Sequence, residues 1–104
     1  MDIETIHNQA SDAASTATKT FLTKYGDGFP CGFAWVTVSE RGNTRLGKAL
    51  KSVGFDKAYG GGLQLWNPSK MFTQSVDALE AGARAYADVL KSYGINASVG
   101  SRLD

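Results

Sequence analysis

The stretch "LKSVGFDKAYGGGLQLW", residues 50–66, decides how many strands this chain can form. It begins in an apolar-patterned helix, passes a glycine at position 54, and continues into strand-like residues that three consecutive glycines interrupt. Because glycine suits turns and bulges, these glycines predict either a tight hairpin or a bend within one long strand. The hairpin leads to a sheet of four strands, and the bent strand to a sheet of three.

Three stretches place apolar residues at steps of three and four, the spacing of one face of a helix. They predict a helix over Ile3–Tyr25, a shorter one from an N-cap at Asn43, and a third from near Thr73 to Tyr93. We expect each helix to end at a glycine in the left-handed conformation. These glycines are Gly26, Gly54 and Gly94.

Residues 31–38, "CGFAWVTV", are rich in aromatic and β-branched side chains and predict a strand. Apolar residues occur in both alternating sets, so we expect a central strand covered on both faces. Further strands are predicted over 55–66 and 95–100, which makes the order α-β-α-β-α-β. A helix between consecutive strands favours a parallel crossover. At 104 residues the chain has the length of one domain, and we expect a single domain over residues 1–104. Its class would be α/β, or alternatively α+β, with a three- or four-stranded parallel or mixed sheet packed by three helices.

Composition limits the functions that this chain can have. Eleven Lys and Arg residues against ten Asp and Glu residues leave a net charge of +1, so binding to nucleic acid or to an anionic membrane would need a local patch. The first residues carry acids where a signal peptide needs bases, and no apolar run approaches the roughly 20 residues of a membrane span. We therefore expect a cytoplasmic protein that does not bind membranes.

Cys31 and His7 are the only residues of their types, which excludes an internal disulfide and a Cys/His metal site. We expect neither a metal nor a cofactor. The segment "CGFAW" is superficially similar to the nucleophile region of papain-like proteases, but that nucleophile opens a helix and precedes its histidine. We therefore interpret Cys31 as a buried strand thiol and His7 as an exposed side chain, with a Cys31–His7 dyad as the catalytic alternative. No catalytic residue stands out, and the sequence favours a non-enzymatic protein.

The second helix carries a basic face opposite its apolar stripe, and aromatic residues lie close to it in sequence. Cations beside aromatic rings suit a nucleotide or single-stranded nucleic acid. The candidate ligand-binding residues are Arg45, Lys48, Lys51, Lys57, Gly60, Gly61, Gly62, Trp66 and Arg102. The glycine amides would form an anion site, although a strand follows them and the run matches neither GxGxxG nor GxxxxGK[ST]. The structural alternatives are a solvated helix face, a turn and core aromatics.

Four segments occur in order along the chain, "PCGFAWV", "KAYGGGLQLWNPS", "EAGARAYADVLKSYG" and "GSRLD", and the resemblance that they carry covers nearly its full length. With them the chain resembles a family of small proteins of unknown function encoded by tailed bacteriophages. The resemblance implies a cytoplasmic protein of an infected bacterium. It implies no activity, cofactor or site residue.

These observations lead to three hypotheses. The first is a small non-enzymatic phage accessory protein that binds a host or phage macromolecule or associates with itself, because small residues on both sides of the third helix fit a homodimer contact. The second is a binding protein for a phosphate-bearing ligand, either a nucleotide or a nucleic acid. The third is a small enzyme whose chemistry the residues do not reveal.

Overall fold

The computed structural model describes residues 2–103, which form three helices and one four-stranded sheet. The elements in chain order are α1 (Ile3–Tyr25), β1 (Gly32–Val38), α2 (Arg45–Ser52), β2 (Asp56–Lys57), β3 (Leu63–Trp66), α3 (Val76–Ser92) and β4 (Ala97–Leu103). The predicted alternation of helices and strands is confirmed, with the hairpin β2–β3 in the place of the middle strand. None of the helices described is long and apolar enough to cross a membrane.

The sheet is antiparallel throughout, so the predicted parallel or mixed sheet is wrong. Its strand order is β2-β3-β1-β4. The helices α2 and α3 each connect two strands that run in the same direction, but an antiparallel strand lies between the two. This is the split β-α-β connectivity of ferredoxin-like folds, and the α+β alternative describes it. The prediction failed because a helical crossover determines the direction of the strands it joins, but not whether they are neighbours.

The glycine run is the turn of the β2–β3 hairpin, so the four-stranded alternative is correct. The Ala58 N–H donates to the Gly62 carbonyl (3.0 Å), and the Gly61 N–H donates to the Ala58 carbonyl (3.2 Å). Gly61 and Gly62 have φ angles of +104° and +76°, a region that residues with a side chain rarely adopt. A β-carbon at Gly62 would also lie only 2.6 Å from the Val38 carbonyl oxygen.

The starts of α2 and α3 differ from those predicted, whereas the start of α1 and the ends of all three helices agree within a residue or two. The N-cap of α2 is Thr44, not Asn43, since the Thr44 hydroxyl accepts from the Gly47 N–H at 3.0 Å. The helix α3 begins at Val76 instead of near position 73, because the Ser75 hydroxyl accepts the Ala78 N–H. The predicted glycines follow all three helices with positive φ angles.

The helices form two layers on one face of the sheet. The helix α3 packs on β1 and β4, and α1 packs on α3. A β-carbon at Gly82 of α3 would lie 2.4 Å from Oγ1 of Thr18 in α1, so the two helices approach closely there. The side chains of β1 alternate between the core and solvent, and Phe33 on the outer side is exposed. The expectation that β1 is covered on both faces is therefore wrong.

Candidate functional site

The open face of the sheet carries three aromatic side chains, Phe33 and Trp35 of β1 and Trp66 of β3, which we call the aromatic strip. Phe33 and Trp35 share a face because side chains alternate along a strand, and Trp66 lies opposite Trp35 in the register. The ring centroids of Trp35 and Trp66 are 4.8 Å apart, and those of Phe33 and Trp66 are 6.2 Å apart. The three rings therefore form one contiguous surface.

Much of the aromatic strip is open to solvent. Phe33 is 40% exposed and Trp66 is 46% exposed, while Trp35 is half-buried between its neighbours. Leaving large apolar side chains in water forgoes about 25 cal/mol for each Å² that burial would remove. A contiguous exposed apolar patch of this kind usually marks a binding surface.

The strand β4 shapes one side of the aromatic strip. Gly100 is the register partner of Trp35, and a β-carbon at that position would lie 2.4 Å from the indole Nε1. The indole ring of Trp35 therefore rests on the bare backbone of β4. Arg102 lies opposite Phe33, with its guanidinium carbon 5.5 Å from the centre of the ring. The aromatic strip thus ends beside an exposed cation, in cation–π geometry.

The same face continues as a polar row beyond the aromatic strip. Thr37 of β1 lies between Gln64 of β3 and Ser98 of β4, and Asp56 of β2 follows Gln64 at the edge of the sheet. The neutral hydroxyl and amide groups in this row can donate and accept hydrogen bonds. The open face therefore combines stacking surfaces, one guanidinium, neutral polar groups and, at the edge of the sheet, the carboxylate of Asp56.

A separate, concave surface lies where β1 ends and α2 begins. It is a groove of about 840 Å³ whose lining includes Arg41, Lys48, Lys51 and Lys57, and we call it the basic groove. Among the described residues that line it, Glu40 is the only one with a carboxylate, and this carboxylate accepts a hydrogen bond from the Thr44 hydroxyl.

The structure separates the nine predicted ligand residues into four groups. The basic groove contains Lys48, Lys51, Lys57 and Gly62. The open sheet face carries Trp66 and Arg102, and the hairpin turn contains Gly60 and Gly61. Arg45 lies apart from these three groups. Arg45 lines a different groove with Leu46 and Tyr93. Arg45 lies six residues before Lys51 on α2. At about 100° per residue, the two side chains leave the helix in directions about 120° apart, which separates Arg45 from the basic groove.

Sequence reasoning missed Phe33 and the role of Gly100. The alternation of Phe33 and Trp35 along β1 is visible in the sequence, but Ala34, Val36 and Val38 form an equally apolar set. Nothing local indicates which set faces the helices. The partner of Trp35 on β4 depends on strand pairing, which the crossover rule did not predict.

Two further sequence interpretations are corrected. Cys31 is exposed, not buried, and its thiol lies 3.5 Å from the side-chain oxygen of Gln74. His7 is half-buried, not exposed, and its Nδ1 lies 2.7 Å from the hydroxyl of Tyr86. Because these two residues have different partners, they do not form the dyad considered above. Within residues 2–103 no group of three or more His, Cys, Asp or Glu residues is placed to hold a metal ion.

The His7–Tyr86 pair is best understood as a neutral hydrogen bond. Burial, and to a smaller extent the charge of Lys70, lowers the pKa of His7. Burial also raises the pKa of Tyr86, which keeps the phenol protonated. The neutral phenol and the neutral imidazole therefore share one hydrogen bond between the Tyr86 hydroxyl and Nδ1, and Nε2 lies 3.4 Å from the hydroxyl of Ser11. The pair connects α1 to α3.

A scan against models of protein families found no match for this chain. Searches of curated proteins and of solved structures found none either. The resemblance to phage-encoded proteins stays a prediction, and the function is argued from the surfaces themselves.

Proposed function

We propose that this protein binds single-stranded nucleic acid on the aromatic strip. The observation that carries the proposal is the contact between the exposed rings of Phe33 and Trp66, with Arg102 beside them on an open sheet face. Every base has a π-face, so aromatic side chains stack bases without requiring a particular sequence. Arginine adds cation–π attraction and can also contact a phosphate.

The proposal specifies a single strand because bases within a duplex are already stacked on one another. Unpaired bases can turn outwards and stack on aromatic side chains. RNA-recognition modules are four-stranded sheets whose aromatics stack two or three bases, and the aromatic strip offers three rings. This comparison is an analogy at the level of the fold, and the exposed rings carry the argument.

The low net charge determines what kind of affinity to expect. Among the described strand residues, Arg102 is the only cation that the register places beside the aromatic strip, so binding there releases few counterions. We expect affinity to come mainly from stacking and to fall only gently as salt is raised. Binding of this kind also suits the broader hypothesis of a non-enzymatic phage accessory protein that acts on a macromolecule.

The test is a fluorescence titration of the protein with a ten-nucleotide thymidine oligonucleotide. Stacking quenches tryptophan emission, and Trp66→Ala should weaken binding by about 5- to 150-fold, the equivalent of one lost base stack. Tyr59→Ala is the matched control, because Tyr59 is fully exposed in the hairpin turn, at the opposite end of β3 from Trp66. A ten-base-pair duplex should bind more weakly than the single strand.

Two results would contradict the proposal. The first is equal affinity of the wild type and Trp66→Ala for the oligonucleotide. The second is a homodimer in sedimentation equilibrium that Trp66→Ala dissociates, with no binding of the oligonucleotide. That second result would assign the aromatic strip to self-association.

A further inference from the structure

The basic groove is assembled from three parts of the chain that are separate in sequence. Lys48 and Lys51 lie three residues apart on α2, which places them on one side of the helix. Lys57 comes from β2, where its partner Leu63 faces the core, so its side chain lies on the helix side of the sheet. Arg41 comes from the loop after β1. Four cations therefore line one concave surface.

The charge of the basic groove is not compensated by the chain itself. The only ion pair within 4.0 Å that the described part of the chain contains joins Arg84 to Glu80 on α3. Against four cations, the described lining of the basic groove has the single carboxylate of Glu40, which already accepts a hydrogen bond from Thr44. A concave surface lined by one sign of charge concentrates the electrostatic field and attracts ions of the opposite sign.

The side chain of Lys51 extends across the loop at the rim of the groove. Its ammonium would be 2.6 Å from a β-carbon placed on Gly42, so the absence of a side chain at position 42 leaves room for it. A volume of about 840 Å³ falls in the upper range of small-molecule sites and exceeds the needs of one phosphate. Lysine binds phosphate as a point charge, and several lysines suit a ligand with several charges.

We infer that the basic groove binds linked phosphates, with Lys48, Lys51, Lys57 and Arg41 as their cationic partners. This site is separate from the aromatic strip and does not depend on the function proposed there. Linked phosphates occur in inorganic polyphosphate and in nucleoside triphosphates. Both sources offer the same chemistry to the basic groove.

The test is isothermal titration calorimetry with inorganic tripolyphosphate at low ionic strength, where charges are weakly screened. Tripolyphosphate should bind at one site per chain and more tightly than orthophosphate. The double variant Lys48→Glu, Lys51→Glu should weaken binding at least about tenfold, since each reversal replaces an attraction by a repulsion. A parallel titration with ATP distinguishes the sources: tighter binding than tripolyphosphate identifies a nucleotide, and equal binding identifies the phosphates alone.

The matched control is the double variant Lys19→Glu, Lys91→Glu, which changes the net charge by the same amount. Lys19 is on α1, and Lys91 is in the last turn of α3 as Lys51 is in the last turn of α2. This control should bind tripolyphosphate as the wild type does. Lys57→Glu, on the two-residue strand β2, repeats the test without altering a helix.

The inference is overturned if the wild type does not bind tripolyphosphate or if both double variants lose the same affinity. It is also overturned if citrate, a polycarboxylate, binds more tightly than tripolyphosphate. Trp66→Ala should leave tripolyphosphate binding unchanged. Failure of oligonucleotide binding with intact tripolyphosphate binding would refute the proposed function alone, and the reverse result would refute this inference alone.

Discussion

Replacing Gly100 by alanine should disturb the aromatic strip while leaving the fold intact. A β-carbon at position 100 would lie 2.4 Å from Nε1 and 2.5 Å from Cε2 of Trp35. Ordinary van der Waals contact begins at 3.4 Å, so the indole must move by about 1 Å or more. The ring is half-buried on an open face, and it can move towards solvent without displacing the backbone.

Gly100→Ala should change the free energy of unfolding only slightly but should weaken oligonucleotide binding more strongly. Weakening the contact between Trp35 and Trp66 costs about 0.5–1.5 kcal/mol, but removing a glycine from a strand returns about 0.5–1 kcal/mol. The free energy of unfolding should therefore change by less than about 1 kcal/mol. Binding should suffer more, because the loss of one stacked base costs about 1–3 kcal/mol, or about 5- to 150-fold in affinity.

The assay combines urea unfolding with the oligonucleotide titration. Gly60→Ala is the control, since a β-carbon there has no atom within 4 Å and its φ lies outside the positive range. The tryptophan emission of Gly100→Ala should shift to longer wavelength as the indole becomes more exposed, whereas that of Gly60→Ala should not. If Gly100→Ala shows the shifted emission and still binds the oligonucleotide with wild-type affinity, the position of the indole has no part in binding.

Two further predictions concern the contacts between α1 and α3. In Gly82→Ala the new β-carbon would lie 2.4 Å from Oγ1 of Thr18, and this crowding should destabilise the protein by about 1–3 kcal/mol. The higher helix propensity of alanine should offset up to about 1 kcal/mol of that loss. Adding Thr18→Ala should recover part of that loss in urea unfolding, and strictly additive effects would contradict the clash. Because the pKa of His7 is lowered in the folded protein, the unfolded chain protonates this imidazole more readily. The contribution of neutral His7 to the free energy of unfolding is therefore fully present above the ordinary pKa of 6.5 and is lost as the pH falls through the pKa of the folded state. Thermal melts of the wild type and His7→Gln between pH 7.5 and pH 5 should show a steeper loss in the wild type, and equal slopes would refute this account of the His7–Tyr86 pair.

Local signals predicted the helices well because the residues that carry them are close in sequence. The apolar spacing of α1 and the glycines after all three helices correspond to the structure within a residue or two. The N-cap of α2 was misplaced by one position, because Asn43 and Thr44 are both residues that cap helices well. The same ambiguity affected α3, where Thr73 and Ser75 are both suitable.

The candidate sites were only partly predictable. The sequence identified Lys48, Lys51 and Lys57 as a basic cluster, and the structure places them in one groove. It grouped Arg45 with them, although helix rotation directs that side chain elsewhere. Trp66 was recognised as an aromatic residue near basic ones, but its contact with Phe33 follows from the pairing of β1 with β3.

The sequence by itself determined the order of the helices and strands, the ends of the helices, the need for a turn or bend at the glycine run, and the low net charge. Those properties arise from interactions between residues a few positions apart or from composition. Only the tertiary structure decided that the strands pair antiparallel, that α1 packs on α3, and that one face of the sheet stays open. Strand pairing joins residues far apart in the chain, and β1 is apolar on both sides, so either face was equally suited to the core. The helices covered one face, and that left Phe33, Trp35 and Trp66 on the other.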